Sequence, residues 1–404
     1  MSVGLLQLGK KPVAAPAGPV LLQSGFRPFF LLAALVAVVA VSAWILVVRG
    51  VWAPRGALLG VDFHVHEMIF GFAAAVIAGF LLTAVKNWTG RTPAPPLLLG
   101  VLVALFVLGR VAVAAEAAGA PRGVAALELC FLPVLALALA RPVWLARDRR
   151  NVGVVLIVVA LAVVDLAMHA AAWGGHGTLA LSARSAALLV PCVLLAVIGG
   201  RVIPLFTRNV VLEHGAAVRG PNLADTVALV AAPLVALLAA LAPFFAAART
   251  VEPWVALAAG LAMLARMVGW ASLATLRTPL VWILHVGFAC LGLGLVLRGA
   301  SLLAPEVIVP SVALHVLAVG ALATLCLGMM TRVSLGHTGR MLELPRGVAG
   351  AYHSLLTALV LRVGAAWVPA LLDAAALFFA LAFLIFLVRY APLLLRPRAD
   401  GAPG

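Results

Sequence analysis

Asp62-Phe63-His64-Val65-His66-Glu67-Met68 leads directly into Ile69-Phe70-Gly71-Phe72-Ala73-Ala74-Ala75-Val76-Ile77-Ala78-Gly79-Phe80-Leu81-Leu82-Thr83-Ala84-Val85, a run without a charge. A bilayer-crossing helix needs about 20 mostly apolar residues. This stretch supplies them immediately after two imidazoles and a carboxylate. Ionisable groups are costly at membrane depth and are kept where they bind something or move charge. The stretch therefore predicts a membrane helix with chemistry at its start.

The same reading extends along the chain. Of 404 residues, 65% are apolar and 10% are charged, with a mean hydropathy of +1.20. Soluble domains are about half apolar and about a quarter charged. The expected fold is an all-α polytopic bundle of about twelve membrane helices. The apolar runs fall near 28–48, 65–85, 95–115, 122–140, 152–172, 181–204, 223–246, 253–275, 279–298, 307–330, 347–369 and 371–395. Val368-Pro369-Ala370 is the break between the last two. Residues 1–404 read as one integral membrane domain: an N-terminal segment 1–24, a bundle 25–396 and a tail 397–404. No repeat period stands out, and no second, soluble domain is visible.

A net charge of +15 usually raises the question of nucleic acid. Here the basic residues stand singly at the ends of apolar runs, as interfacial anchors and topology signals do. Nucleic-acid binding is excluded on that ground. With a cytoplasmic N-terminus, nineteen Lys and Arg fall in cytoplasmic connections and six on the other side. Both termini are therefore expected in the cytoplasm. The first 23 residues lack a compact apolar core before a small-residue cleavage site, so the first span reads as an uncleaved anchor. The four cysteines all lie in apolar runs. Without Cys-x-x-Cys or Cys-x-x-Cys-His, iron–sulfur clusters and covalent haem lack their ligands.

Histidine is the commonest metal ligand, and several histidines lie in these runs. His64, His66, His169 and His315 fall toward the outer side, and His285 toward the cytoplasmic side. These residues make haem or copper the first candidates. His64 and His66 are about 200° apart on a regular helix. Either His64 lies in an extended lead-in and the two converge, or they serve two centres. Asp165 and His169 share a helix face at i and i+4, an arrangement that fixes an imidazole tautomer. Arg110 and Arg362, deep in spans, need anions: haem propionates, or Glu116, Glu128 or Asp373. His337 sits in a Gly-rich turn that is equally a helix cap. His176, His214 and His353 read as ordinary surface or interface residues.

Gly25-Phe26-Arg27-Pro28-Phe29-Phe30, the His64/His66-Glu67-Met68 segment, and Gly79-Phe80-Leu81-Leu82-Thr83-Ala84 with Asn87-Trp88-Thr89-Gly90 resemble the NnrS family. Gly200-Arg201-Val202-Ile203-Pro204, Trp282-Ile283-Leu284-His285, Thr331-Arg332-Val333 and Leu335-Gly336-His337-Thr338-Gly339-Arg340 extend the resemblance, as does Leu387-Val388-Arg389-Tyr390-Ala391-Pro392. The resemblance implies a twelve-helix bacterial inner-membrane protein with haem and copper, tied to nitric oxide metabolism, nitrosative-stress resistance and denitrification. It carries the family's histidines onto His64, His66, His169, His285, His315 and His337. Asp165 departs from the pattern, where an amide is expected.

Three functions compete. One is an oxidoreductase that reduces nitric oxide at a haem–copper pair, fed by quinol or a cytochrome. The second is a non-catalytic nitric oxide binder. The third is a metal transporter, which Met- and Cys-rich ligands would favour and this chain lacks. The haem would be b-type and histidine-held, with Arg110 and Arg362 as further cofactor contacts. Copper would sit at a neighbouring histidine cluster; His64, His66, His169 and His315 are the candidates for the outer-side centre, with His285 as a further axial candidate. Three imidazoles and an open position suit copper that binds a small ligand. Glu67 is the candidate proton carrier. A helix-capping role favoured by the helix dipole is its rival.

Overall fold

The computed structural model describes residues 19–211, 218–220 and 222–402. Lys10, Lys11 and His214 lie outside the described residues, as do residues 1–18 of the N-terminal segment and the last two of the tail. Each apolar run of the sequence becomes a helix. These are α1 Phe26–Val48, α2 Val61–Thr89, α3 Pro96–Ala118, α4 Val124–Leu145, α5 Val152–Gly174 and α6 Gly177–Val211. They continue with α7 Leu223–Leu241, α8 Ala246–Met267, α9 Pro279–Leu303, α10 Pro310–His337, α11 Ala349–Gly364 and α12 Leu371–Leu394. Among the described residues there is no strand. The protein is an all-α polytopic bundle.

Ten of these helices are long and apolar enough to cross a membrane. The other two fall short for visible reasons. α11 has only 16 residues. α8 carries Arg249, Glu252 and Arg266. The buried charges of α8 are matched by neighbours: Arg266 Nε donates to Asp225 of α7 at 2.7 Å, and Arg298 of α9 donates to Glu252 at 2.5 and 2.8 Å. Pairing of this kind is what makes such residues tolerable at membrane depth.

The helices differ in depth within the bundle. The most apolar windows of α2 and α10 are 89% and 78% buried, against 28% for α1 and α12. α2 and α10 are therefore the central helices, and they share a second feature. Each widens into a π-helical segment, Glu67–Ala73 in α2 and Val316–Ala323 in α10. Such segments are rare and concentrate at functional sites.

The two π segments belong to a repeated hairpin that the sequence reading does not find. His66, Gly71, Gly79, Thr89 and Gly90 recur at identical spacing as His315, Gly320, Gly328, Thr338 and Gly339. Each π segment begins immediately after its histidine. A Cβ at Gly79 or Gly71 would strike Phe30 or Val36 of α1, and one at Gly328 or Gly320 would crowd Leu284 or Cys290 of α9. In both hairpins the glycines let the backbones approach closely, as small residues do between membrane helices. The repeat escapes the sequence reading because a few small residues carry it through apolar filler.

Candidate metal and cofactor sites

Four buried groups meet at the end of the bundle where α2 begins and α5 ends. His66, Glu128, Asp165 and His169 are each no more than 2% exposed. One ligand atom from each lies within 4.8 Å of all the others. His169 Nε2 is 2.8 Å from Glu128 Oε1, and His66 Nε2 contacts the same oxygen. Asp165 Oδ1 stands 3.4 Å from His66 Nε2 and has no hydrogen-bond partner. Imidazole lone pairs and carboxylate oxygens turned on one another repel unless a proton or a cation lies among them. The buried cluster thus fits a metal site.

Local structure explains the convergence. α4 opens with a 3-10 turn, Val124–Cys130, which presents Glu128 inward. A Cβ at Gly109 of α3 would come within 2.7 Å of Glu128 Cβ, so glycine is what lets this turn pack so closely. Next to it, Arg110 pairs with Glu128 and donates to Glu67 Oε1 at 2.7 Å. Glu67 Oε1 also lies 3.1 Å from His66 Nδ1. A carboxylate only accepts, so Nδ1 carries the proton and Nε2 keeps its lone pair for the cluster. This carboxylate–histidine relay commonly fixes the tautomer of a metal ligand.

About half a turn of α2 separates a second site. His64 faces away from His66 into a cavity of about 380 Å³ bounded by α1, α2, α6, α10, α11 and α12. Its walls are apolar except for His64, His315, Arg184, Ser185 and Arg362. A size of this order with a few convergent polar groups is usual for a small-molecule or cofactor site. His64 stacks on Trp44 with centroids 4.5 Å apart, and its buried Nδ1 has no partner. His315 Nδ1 donates to the Ser311 carbonyl at 2.7 Å, leaving Nε2 free to ligate. Among the described residues no carboxylate pairs with Arg362. Residues 20–398 match the family model described as NnrS protein. The chain belongs to the NnrS family. No curated protein matches it. Membership ties this membrane protein to nitric oxide.

Of the two arrangements the sequence allows, convergence or two centres, the four outer-side histidines His64, His66, His169 and His315 adopt the second. The structure joins His66 and His169 in one and puts His64 and His315 in the other. The reason is the one the sequence left open: α2 begins at Val61, before His64, so both histidines are helical and point to opposite sides. That early start also removes the capping role for Glu67. Glu67 lies beyond the first turn, where Asp62 stands instead and pairs with Arg184 at 3.2 Å.

The other candidates lie elsewhere. His285 sits toward the opposite end of the bundle, 2.8 Å from the Thr207 hydroxyl, with its Nδ1 unpartnered. His337 ends α10 and packs on Phe26 at 5.7 Å. Neither joins the two sites. Of the carboxylates considered for the arginines, Asp373 bonds Arg49 at 2.7 and 3.1 Å. Glu116 accepts from the amides of Ala57, Gly123 and Ala125. Glu128 takes Arg110. As a cluster member Glu128 goes unrecognised in the sequence, although a lone carboxylate in an apolar run is a usable signal.

Proposed function

We propose that the protein is a redox protein of the bacterial inner membrane that reduces nitric oxide to nitrous oxide. In this reading it uses b-type haem in the histidine cavity and copper at the buried cluster. The observation that supports two cofactors is the pair of separate, preformed imidazole sites on opposite sides of α2. Two imidazoles and two carboxylates form a mixed nitrogen–oxygen set suited to divalent copper. The free nitrogens of His64 and His315 suit haem iron, and the unpaired Arg362 suits a propionate. Once bound, haem and copper would supply one-electron chemistry and a vacant position for a diatomic ligand.

The reaction combines two nitric oxide molecules, two electrons and two protons into nitrous oxide and water. The electrons would come from quinol or a cytochrome. Protons need a carboxylate at the buried cluster that exchanges with the outer face. Glu67 is that group: it is partly accessible, bonded to Arg110 and in contact with His66. Glu67→Gln keeps the shape and removes the charge. General acid–base groups contribute roughly 10²–10⁴-fold. The expected outcome is nitric oxide turnover lowered about a hundred-fold, the low end of that range, since Arg110 and Glu128 remain. Anaerobic nitric oxide consumption and nitrous oxide release measure it. Full metal content with undiminished turnover would remove Glu67 from the mechanism.

A second reading, nitric oxide binding without turnover, draws on the same geometry. Sites facing away from each other across α2 do not present two metals to one substrate pair. A spectral shift on adding nitric oxide to reduced protein, without nitrous oxide release, would select it. Cytoplasmic termini remain part of the proposal, supported by the nineteen-to-six bias of basic residues. A reporter fused after Gly404 is expected to be active only in its cytoplasmic form. Activity of a periplasm-dependent reporter at that position would invert the topology.

A further inference from the structure

A second, smaller cavity of about 60 Å³ lies between α2, α6, α9 and α10. Ile77, Leu194, Ile198, Leu325 and Met329 are among its walls, and no polar group lines it. A water molecule inside a protein needs two to four polar partners, and none is offered here. The volume is far below the roughly 300 Å³ at which small-molecule pockets begin, so a quinone ring does not fit. What fits is a small uncharged molecule that gains from leaving water.

The cavity's position gives that fit a use. Leu322 lines both this cavity and the larger histidine cavity. On α2 the walls pass from Phe72 in the larger cavity to Val76 in the smaller, one turn on. On α6 they pass from Leu188 to Pro191. The two spaces stand end to end along the same three helices, with Leu322 as the partition. We propose that the smaller cavity is a holding site for apolar diatomic gas, from which a molecule reaches the histidine cavity past Leu322. That the gas is nitric oxide rests on the function proposed above. The gas site itself does not.

Xenon tests the site directly. Purified full-length protein in lipid nanodiscs is titrated with xenon and followed by xenon NMR, with Leu194→Trp as the filled variant. Thermal unfolding and gel filtration check that the variant folds, and Leu325→Phe fills the same space from α10 if it does not. The expected result is a saturable xenon signal in the wild type that the filled variant loses. Nitric oxide added anaerobically is expected to displace the xenon, and the filled variant to take up nitric oxide several-fold more slowly. No saturable xenon, or equal binding by the filled protein, overturns the gas site. An unchanged nitric oxide uptake rate in a filled variant that has lost xenon overturns the route. Xenon binding in protein that neither binds nor reduces nitric oxide leaves the gas site standing and removes only the functional reading.

Discussion

His64→Ala and His66→Ala, two residues apart, are expected to empty two different centres. His66 is fully buried and contributes one of only two imidazole nitrogens at its cluster. Losing even a residue that merely orients a ligand costs about 10–100-fold in metal affinity, and in the proposed copper site His66 would itself be a ligand. Purified His66→Ala protein should carry less than about a tenth of the wild-type copper by mass spectrometry, and should keep its haem absorbance. His64→Ala should do the reverse, losing the Soret band while retaining the metal of the cluster. The argument rests on helical geometry: two residues are about 200° of rotation, so the side chains serve opposite sides of α2. Two variants that each lose both cofactors would mean one shared centre. A His66→Ala protein with full copper would remove the metal from the cluster.

The same 200° marks how far the sequence could be read. Helix existence followed from apolar run length, because the bilayer leaves helices as one of the few structures that satisfy every backbone group. The runs near 28–48 and 371–395 are within two residues of α1 and α12 as observed. Chemistry at the start of α2 was legible too, since an ionisable group in an apolar run calls attention to itself. Convergence was not legible. Glu128 and His169 come within hydrogen-bonding distance although 41 residues separate them. Nothing in local pattern tells which turns of α2, α4 and α5 face one another.

Two further features were hidden by where helices start and how they are wound. A start at residue 65 would make Glu67 a cap, whereas the start at Val61 makes it an internal partner of Arg110. Four residues decide between a structural and a chemical role, and boundary errors from sequence are of that size. The π segments after His66 and His315 leave no compositional trace, because apart from Glu67 both are built from ordinary apolar residues and glycine. They became visible only with the fold, and with them the repeated hairpin.

Glu128→Ala is expected to produce the largest loss of stability of any single change at the cluster. Glu128 is 2% exposed and balances Arg110. Removing one partner of a buried pair leaves an uncompensated charge and costs about 3–5 kcal/mol. Glu67 still accepts from Arg110 at 2.7 Å, so the lower end, about 3 kcal/mol, is expected. Asp373→Asn is the control: its pair with Arg49 is about half exposed, and such pairs contribute about 0–1 kcal/mol. Denaturant unfolding in mixed micelles should therefore separate the two variants clearly. Equal, small losses would show that Arg110 finds solvent or another partner. The double variant Arg110→Met/Glu128→Leu carries the point further. Replacing a buried ion pair by apolar side chains is often neutral or stabilising, so this protein should recover most of the lost stability yet bind no metal at the cluster. That combination would mean the buried charges are kept for what they hold, since an apolar packing of the same helices would serve the fold as well.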